Sequence, residues 1–272
     1  MPVTSFSFST PFEKSSKALK WLPKMALASS LLVGSQFLTT PAALALDDGD
    51  KAAVEKIVRE YLLSNPEILV EMQRELQAKQ EASRVASAAN ALNQNRDAIF
   101  NSKYDVPIGD PNAPITVVEF FDYNCGFCKR SLELLQATVE KHPDVRFILK
   151  EFPILSQDSM DAHRVSLALG AIAPELYQEF HIKLMGGSGR ATGESAQKLA
   201  VEMGADEAKL ETAMKSDVVE GAIRETYQVA EAMGLNGTPA FIVGDEVVPG
   251  AISLQDLEGR YENLRKCGKT NC

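Results

Sequence analysis

Two cysteines in the run Cys125-Gly126-Phe127-Cys128 are the side chains in this sequence best placed to do chemistry. Thiols at this spacing lie about one helical turn apart and can close a small disulfide ring, so the pair can exchange two electrons without a cofactor. A pair of this kind can also be half of a structural zinc site, but such a site needs four ligands, from a second pair or from histidines. His142, His163 and His181 stand singly and read as packed or solvated residues. Cys267 and Cys272 have the wrong spacing for a zinc knuckle. The expectation is a redox pair with no metal.

The elements around the pair place it. The apolar run Ile115-Thr116-Val117-Val118-Glu119-Phe120-Phe121 predicts a strand, and Leu132 to Val139 has the pattern of an amphipathic helix. Cys125 therefore falls at a helix N-terminus, where unpaired N–H groups and the positive end of the dipole favour an anion. Glu119 is an acid inside an apolar run. On a half-buried strand it could simply occupy the exposed face. The helix runs to Glu140, His142-Pro143 stops it, and Val145 to Phe152 predicts a second strand, which suggests a parallel βαβ unit. From about 159 to 234 no strand is predicted, only consecutive helices at 162–172, 174–185, 195–203, 206–214 and 217–233. Ala240 to Gly250 then reads as a β-hairpin and Leu254 to Leu264 as a closing helix. The order is βαβ, helical insertion, ββα.

The amino-terminal third has a different character. Lys14, Lys17, Lys20 and Lys24 precede an apolar run, Met25 to Leu38, and Ala43-Leu44-Ala45 places small residues where a signal peptidase cuts. Residues 1–45 read as a signal peptide, with an uncleaved anchor as the alternative. Cleavage after Ala45 would move the net charge from −9 to about −12, because the leader carries a net +3. Such an acidic chain is a poor nucleic-acid binder. Residues 46–104 read as a helical stalk. Val54, Ile57, Val58, Tyr61 and Leu62 share one helical face. After Ser64-Asn65-Pro66, with Asn65 as cap, Ile68, Leu69, Met72, Leu76 and a run of alanines continue a narrow apolar seam. A thin seam on a polar helix needs a partner, and self-association through residues 51–100 is the economical one. The alternative is that the helices fold back on the domain spanning 105–272.

Once Cys125-Gly126-Phe127-Cys128 is joined to Gly237-Thr238-Pro239 ahead of the hairpin, the chain resembles the thioredoxin superfamily. The helical insertion makes it similar to the DsbA-like thiol:disulfide oxidoreductases. The segment Tyr61-Leu62-Leu63-Ser64-Asn65-Pro66-Glu67-Ile68-Leu69 resembles the stalk of the ScsC-type, suppressor-of-copper-sensitivity proteins. The fold class implied is α/β, a thioredoxin fold with a helical insertion behind an α-helical oligomerisation segment, with a trimer favoured. The resemblance implies that Cys125 is the exposed nucleophile, Cys128 the buried resolving thiol and Pro239 a cis-proline. Thr238, Pro239, Gly126 and Phe127 would receive the substrate strand. Glu119, six residues before Cys125, would be a buried acid that moves the proton of Cys128, with Lys150 as candidate counter-charge.

Strong oxidants of this branch carry Pro-His between their cysteines, where this chain has Gly126-Phe127. That implies a potential away from the oxidising end of the roughly −270 to −120 mV family range. The implied activity is that of a periplasmic disulfide isomerase or reductase acting on misfolded or reduced exported proteins, kept reduced by a membrane thiol reductase. A DsbA-type dithiol oxidase and a copper-handling protein using the two thiolates are the alternatives. Cys267 and Cys272 lie outside the family pattern. They read as a small structural disulfide closing the tail, or as a tie to another molecule.

Overall fold

The structure, a computed structural model, describes residues 47–272, so the expected signal peptide lies outside it. No helix among these residues is long and apolar enough to cross a membrane. The first helix, α1 (Asp48–Ser64), belongs to a unit that ends at Ser64, and Asn65 to Cys272 forms a second unit. All five residues of the α1 stripe, Val54, Ile57, Val58, Tyr61 and Leu62, are exposed.

In the second unit α2 (Glu67–Gln94) opens after Pro66, which takes the cap position one residue beyond the expected Asn65. Its φ of −65° is the value proline imposes and the first turn requires. Leu69, Met72, Leu76 and Val85 of α2 are exposed, while Ala88, Ala91 and Leu92 are buried. A short helix, α3 (Arg96–Phe100), follows, and it buries Ile99 completely. Ala91, Leu92 and Ile99, which lie in the stretch read from sequence as stalk, thus join the core of the second unit.

That core is organised by a four-stranded sheet. Strand β1 (Ile115–Phe121) leads through α4 (Gly126–Lys141) to β2 (Val145–Glu151), which pairs with it in parallel, Ile115 opposite Val145. Strands β3 (Ala240–Val243) and β4 (Glu246–Pro249) add on antiparallel, giving the order β2-β1-β3-β4. Because side chains alternate across a strand, β1 feeds two cores. Val117 and Phe121 join Phe147, Leu149, Phe241 and Leu135 on one face. Val118 and Phe120 join Ile148, Ile242, Leu92 and Ile99 on the other. A strand buried on both faces reads as the unbroken apolar run seen in the sequence.

The insertion consists of α5 (Gln157–Ile172), α6 (Pro174–Gly186), α7 (Gly193–Glu202), α8 (Glu207–Met214) and α9 (Asp217–Ala232). Ser156, Thr192, Asp206 and Ser216 each accept a backbone N–H at the start of α5, α7, α8 and α9, and α6 opens on a proline. A cap of this kind stabilises a helix by about 1 kcal/mol, and it ends each connecting loop sharply. The last helix, α10 (Leu254–Cys267), is capped by Ser253 and closes with Gly268 in the left-handed region, φ 75°. Between β3 and β4 the chain reverses at Gly244, whose φ is 58° and where a Cβ would stand 2.7 Å from Leu264 Cδ2. Only glycine satisfies both conditions.

Candidate active site

The turn between β1 and α4 is built on one buried carboxylate. Asp122 Oδ1 accepts the Asn124 N–H at 2.8 Å and the Ser159 hydroxyl at 2.8 Å. Its Oδ2 accepts the N–H groups of Ile154 and Leu155 at 3.0 and 3.1 Å. The Cys125 N–H closes the turn on the Asp122 carbonyl at 2.9 Å. Cys125 is thereby delivered in extended geometry, φ −79° and ψ 116°, to the N-cap of α4. The free N–H groups of the first helical turn converge there, a setting that favours negative charge.

The Cys125 thiol donates to the Thr238 carbonyl at 3.2 Å, and the Thr238–Pro239 bond is cis. The other side of that loop is held by the Gly250 N–H on the Pro239 carbonyl at 3.0 Å. Cys128, one turn into α4, is unbridged like Cys125. Burial pushes the Cys128 thiol well above its ordinary range, and the charge of Glu119 pushes it further. Glu119 shares the face of Val117 and Phe121 and is 4% exposed. Burial first, and then the charge of Cys125, raises its carboxyl to about 8. A buried acid and a buried thiol that both resist ionisation, the thiol partly because of the acid, are equipped to pass one proton between them.

Two expectations are corrected. Cys125 is not an exposed sulfur: 6% of the residue is accessible, against 1% for Cys128, because the Thr238 loop lies against it. The surface beside it is supplied instead by Gly126 and by Phe127, which is 57% exposed with the Arg130 guanidinium 4.2 Å from its ring centre. From Phe127 a groove of about 370 Å³ runs past Leu134 to Ala251 and Ile252.

Nor does Lys150 balance Glu119. In the parallel register Glu119 faces Leu149, so Lys150 falls on the opposite face. There its ammonium donates to Asp105 at 2.5 Å and to the Ala98 carbonyl at 2.7 Å, with Glu225 at 3.9 Å. Burial outweighs that lysine and raises the Asp105 carboxyl to about 6.

Behind the turn lies a polar cluster that the sequence did not disclose. Buried Glu151, at the end of β2, accepts from His163 Nδ1, from the Ser166 hydroxyl at 2.6 Å and from the Tyr177 hydroxyl at 2.8 Å. The Tyr123 N–H donates to His163 Nε2 at 3.2 Å, which fixes that imidazole with its proton on Nδ1. The Tyr123 hydroxyl bonds Ser166 at 2.8 Å and His181 Nδ1 at 3.3 Å. His181 is lowered to about 3, chiefly by burial. The available signal was Glu151 itself, a second acid ending an apolar strand as Glu119 interrupts the first.

Cys267 and Cys272 form a disulfide, S–S 2.06 Å, across the tail. The loop it closes delivers Thr270, whose N–H and hydroxyl both donate to Asp245 Oδ1 at 3.0 and 2.8 Å. Those two bonds, the backbone one first, hold the Asp245 carboxyl below its ordinary range. Among the described residues, no group of three or more His, Cys, Asp or Glu is arranged to hold a metal ion.

With this geometry in place, comparison with known proteins is informative. Residues 116–262 match the DSBA-like thioredoxin domain, and residues 50–83 match the copper resistance protein ScsC N-terminal domain. A crystal structure of a thioredoxin-like oxidoreductase from Silicibacter pomeroyi is 38% identical, with a TM-score of 0.60 over 64% of this chain and 99% of that one. Proteus mirabilis ScsC in a transitional conformation is 31% identical, with a TM-score of 0.54 over 81% of this chain and 100% of that one. The thiol:disulfide interchange protein DsbA of Bordetella pertussis is 30% identical over 139 residues, 50% of this chain and 66% of that protein. The chain spans only 22% of the mycobacterial Na(+)/H(+) antiporters NhaA 1 that it also matches. On the strength of its sheet, its insertion and this match, the chain belongs to the DSBA-like thioredoxin-domain family, with an ScsC-type segment ahead of the domain.

Proposed function

We propose that this chain is an exported thiol:disulfide oxidoreductase that works as a disulfide isomerase or reductase on other exported proteins. The observation that carries the reading is the meeting of Cys125, at the N-cap of α4, with the Thr238 carbonyl just ahead of cis Pro239. In the proposed reaction the Cys125 thiolate attacks one sulfur of a substrate disulfide. The substrate S–S bond breaks, a Cys125–substrate disulfide forms, and the displaced substrate thiolate takes up a proton. Either a substrate thiol then attacks to form a corrected disulfide and restore Cys125, or Cys128 attacks. In the second route Cys125, uncharged in the mixed disulfide, no longer raises the Glu119 carboxyl. Ionised Glu119 takes the proton of Cys128, whose sulfur closes a disulfide with Cys125 as the Cys125–substrate bond breaks. The substrate leaves reduced, and two electrons have passed from the pair to the substrate. A membrane thiol reductase would return those electrons.

Isomerisation is favoured over oxidation by the depth of Cys128. Burial disfavours the Cys128 thiolate, the form that would resolve the mixed disulfide, and this supports resolution by the substrate's own thiol. The exposed seam of α2, with Leu69, Met72 and Leu76, supports self-association, and the resemblance to the ScsC-type proteins is what favours a trimer. Several catalytic units in one assembly would hold an unfolded client by many weak contacts. A peptide-binding loop at the thiols has no use in a pure copper carrier, which supports exchange over metal handling.

The test compares refolding of scrambled and of reduced ribonuclease by the wild-type chain. Faster recovery from the scrambled form is the expected result. Recovery from the reduced form alone would make the chain a dithiol oxidase, and neither activity would remove the enzymatic reading.

A further inference from the structure

The residues on either side of the cysteine pair reach for one and the same segment, 187–191, which joins α6 to α7. Asn124, directly before Cys125, accepts the Ala191 N–H on Oδ1 at 2.9 Å. Its Nδ2 donates to the Ala191 carbonyl at 2.8 Å and to the Ser159 hydroxyl at 3.1 Å. Lys129, directly after Cys128, donates its ammonium to the carbonyls of Gly187 and Gly189 at 2.7 and 3.2 Å. Arg190 pairs with Asp158, in the first turn of α5, at 2.6 Å.

A surface loop between two helices ordinarily leaves its peptide groups to water. Here Gly187, Gly189 and Ala191 surrender theirs to the two side chains that bracket the reactive sulfurs. The chemistry at each point is selective. An amide offers a donor to a peptide carbonyl and an acceptor to a peptide N–H, whereas a carboxylate would set an oxygen against the Ala191 carbonyl. A lysine ammonium, with three donors, can serve two carbonyls at once. Beyond these anchors Ser188, Gly189 and Arg190 are exposed, and a Cβ on Gly189 would meet nothing within 4 Å.

We infer that residues 187–191, which lie outside the groove lined by Phe127, Leu134 and Ile252, form a further wall beside the cysteine pair for the disulfide-bearing polypeptide, and that Asn124 and Lys129 are the positioning residues that set this wall beside Cys125. The inference rests on reading the chain as a thiol:disulfide oxidoreductase. The Thr238-Pro239 loop bounds the sulfur on one side. The anchored segment gives an extended client a second polar edge, and its distance from Cys125 is set by residues adjoining the pair.

Trypsin cleavage after Arg190, followed by mass spectrometry, reports the anchoring, while kcat and KM for a cystine-bridged peptide report the wall. Asn124→Ala and Lys129→Ala should each speed cleavage at that bond and, by displacing the wall from the client, raise KM roughly tenfold. The loss should be carried by KM rather than by kcat. Lys129→Arg should restore both values and Asn124→Asp should restore neither. Faster cleavage with wild-type KM, or no change in either, overturns the inference while the wild type remains active. A wild-type chain that exchanges no disulfide at all overturns the functional reading and this inference together.

Discussion

Replacing Glu119 by glutamine removes the most perturbed carboxyl of the site while keeping its shape. Its pKa rises from 4.5 to about 8, burial being the larger cause and the charge of Cys125 the smaller. Between those two values the folded chain keeps a proton that the unfolded chain has released. Glu119 therefore draws stability down as the pH rises through that window, and its effect levels off above the folded value. The linkage relation puts the deficit at about 3 kcal/mol at pH 7, and it approaches 5 kcal/mol, on the order of magnitude, above pH 8. Glu119→Gln should thus be more stable than wild type by an amount that is small near pH 4.5 and grows to those values. Urea unfolding of both chains at half-unit steps, with a phosphine reductant keeping the cysteines reduced, measures the difference. Titrating groups that do not interact with Glu119 cancel between the two chains, and reading the difference below about pH 8 keeps the coupled Cys128 thiol protonated in both. A difference independent of pH, or one that grows toward acid, would refute the burial argument.

Cys125→Ser should abolish exchange, whereas Cys128→Ser should accumulate a mixed disulfide with client protein, visible on a non-reducing gel. Lys150→Met should cost about 3 to 5 kcal/mol by chemical denaturation, since it leaves Asp105 buried without its cation. Adding Asp105→Asn should recover much of that loss. Glutamates at both Leu69 and Met72 should reduce self-association in sedimentation velocity without altering the far-ultraviolet dichroism, because both side chains are exposed in α2.

The strands, the insertion and the cysteine pair were legible because each left a local mark. An apolar run of seven residues and a stop at His142-Pro143 act within a few positions. What escaped depends on pairing across the fold. Whether Lys150 meets Glu119 turns on a parallel register that places Leu149 opposite the acid, and no periodicity in either strand reveals that. The shielding of Cys125 comes from a loop 113 residues further on. Helix α3 hid behind polar residues because its single buried side chain, Ile99, is too little to create a pattern. The cluster around Glu151 draws on β2, α5, α6 and the cysteine turn, so its members look like unrelated polar residues until the chain is folded.

Asp122 carries an implication for how this site can change. Its two oxygens are fully committed to four donors contributed by the cysteine turn, by α5 and by the backbone after β2. Asparagine, the nearest replacement in size, would turn an NH₂ toward at least one of those donors, so no gradual route through the amide exists. The stretch ahead of Cys125 and the stretch around Ile154 are consequently tied as one mechanical piece, and lengthening or shortening either would have to be matched in the other.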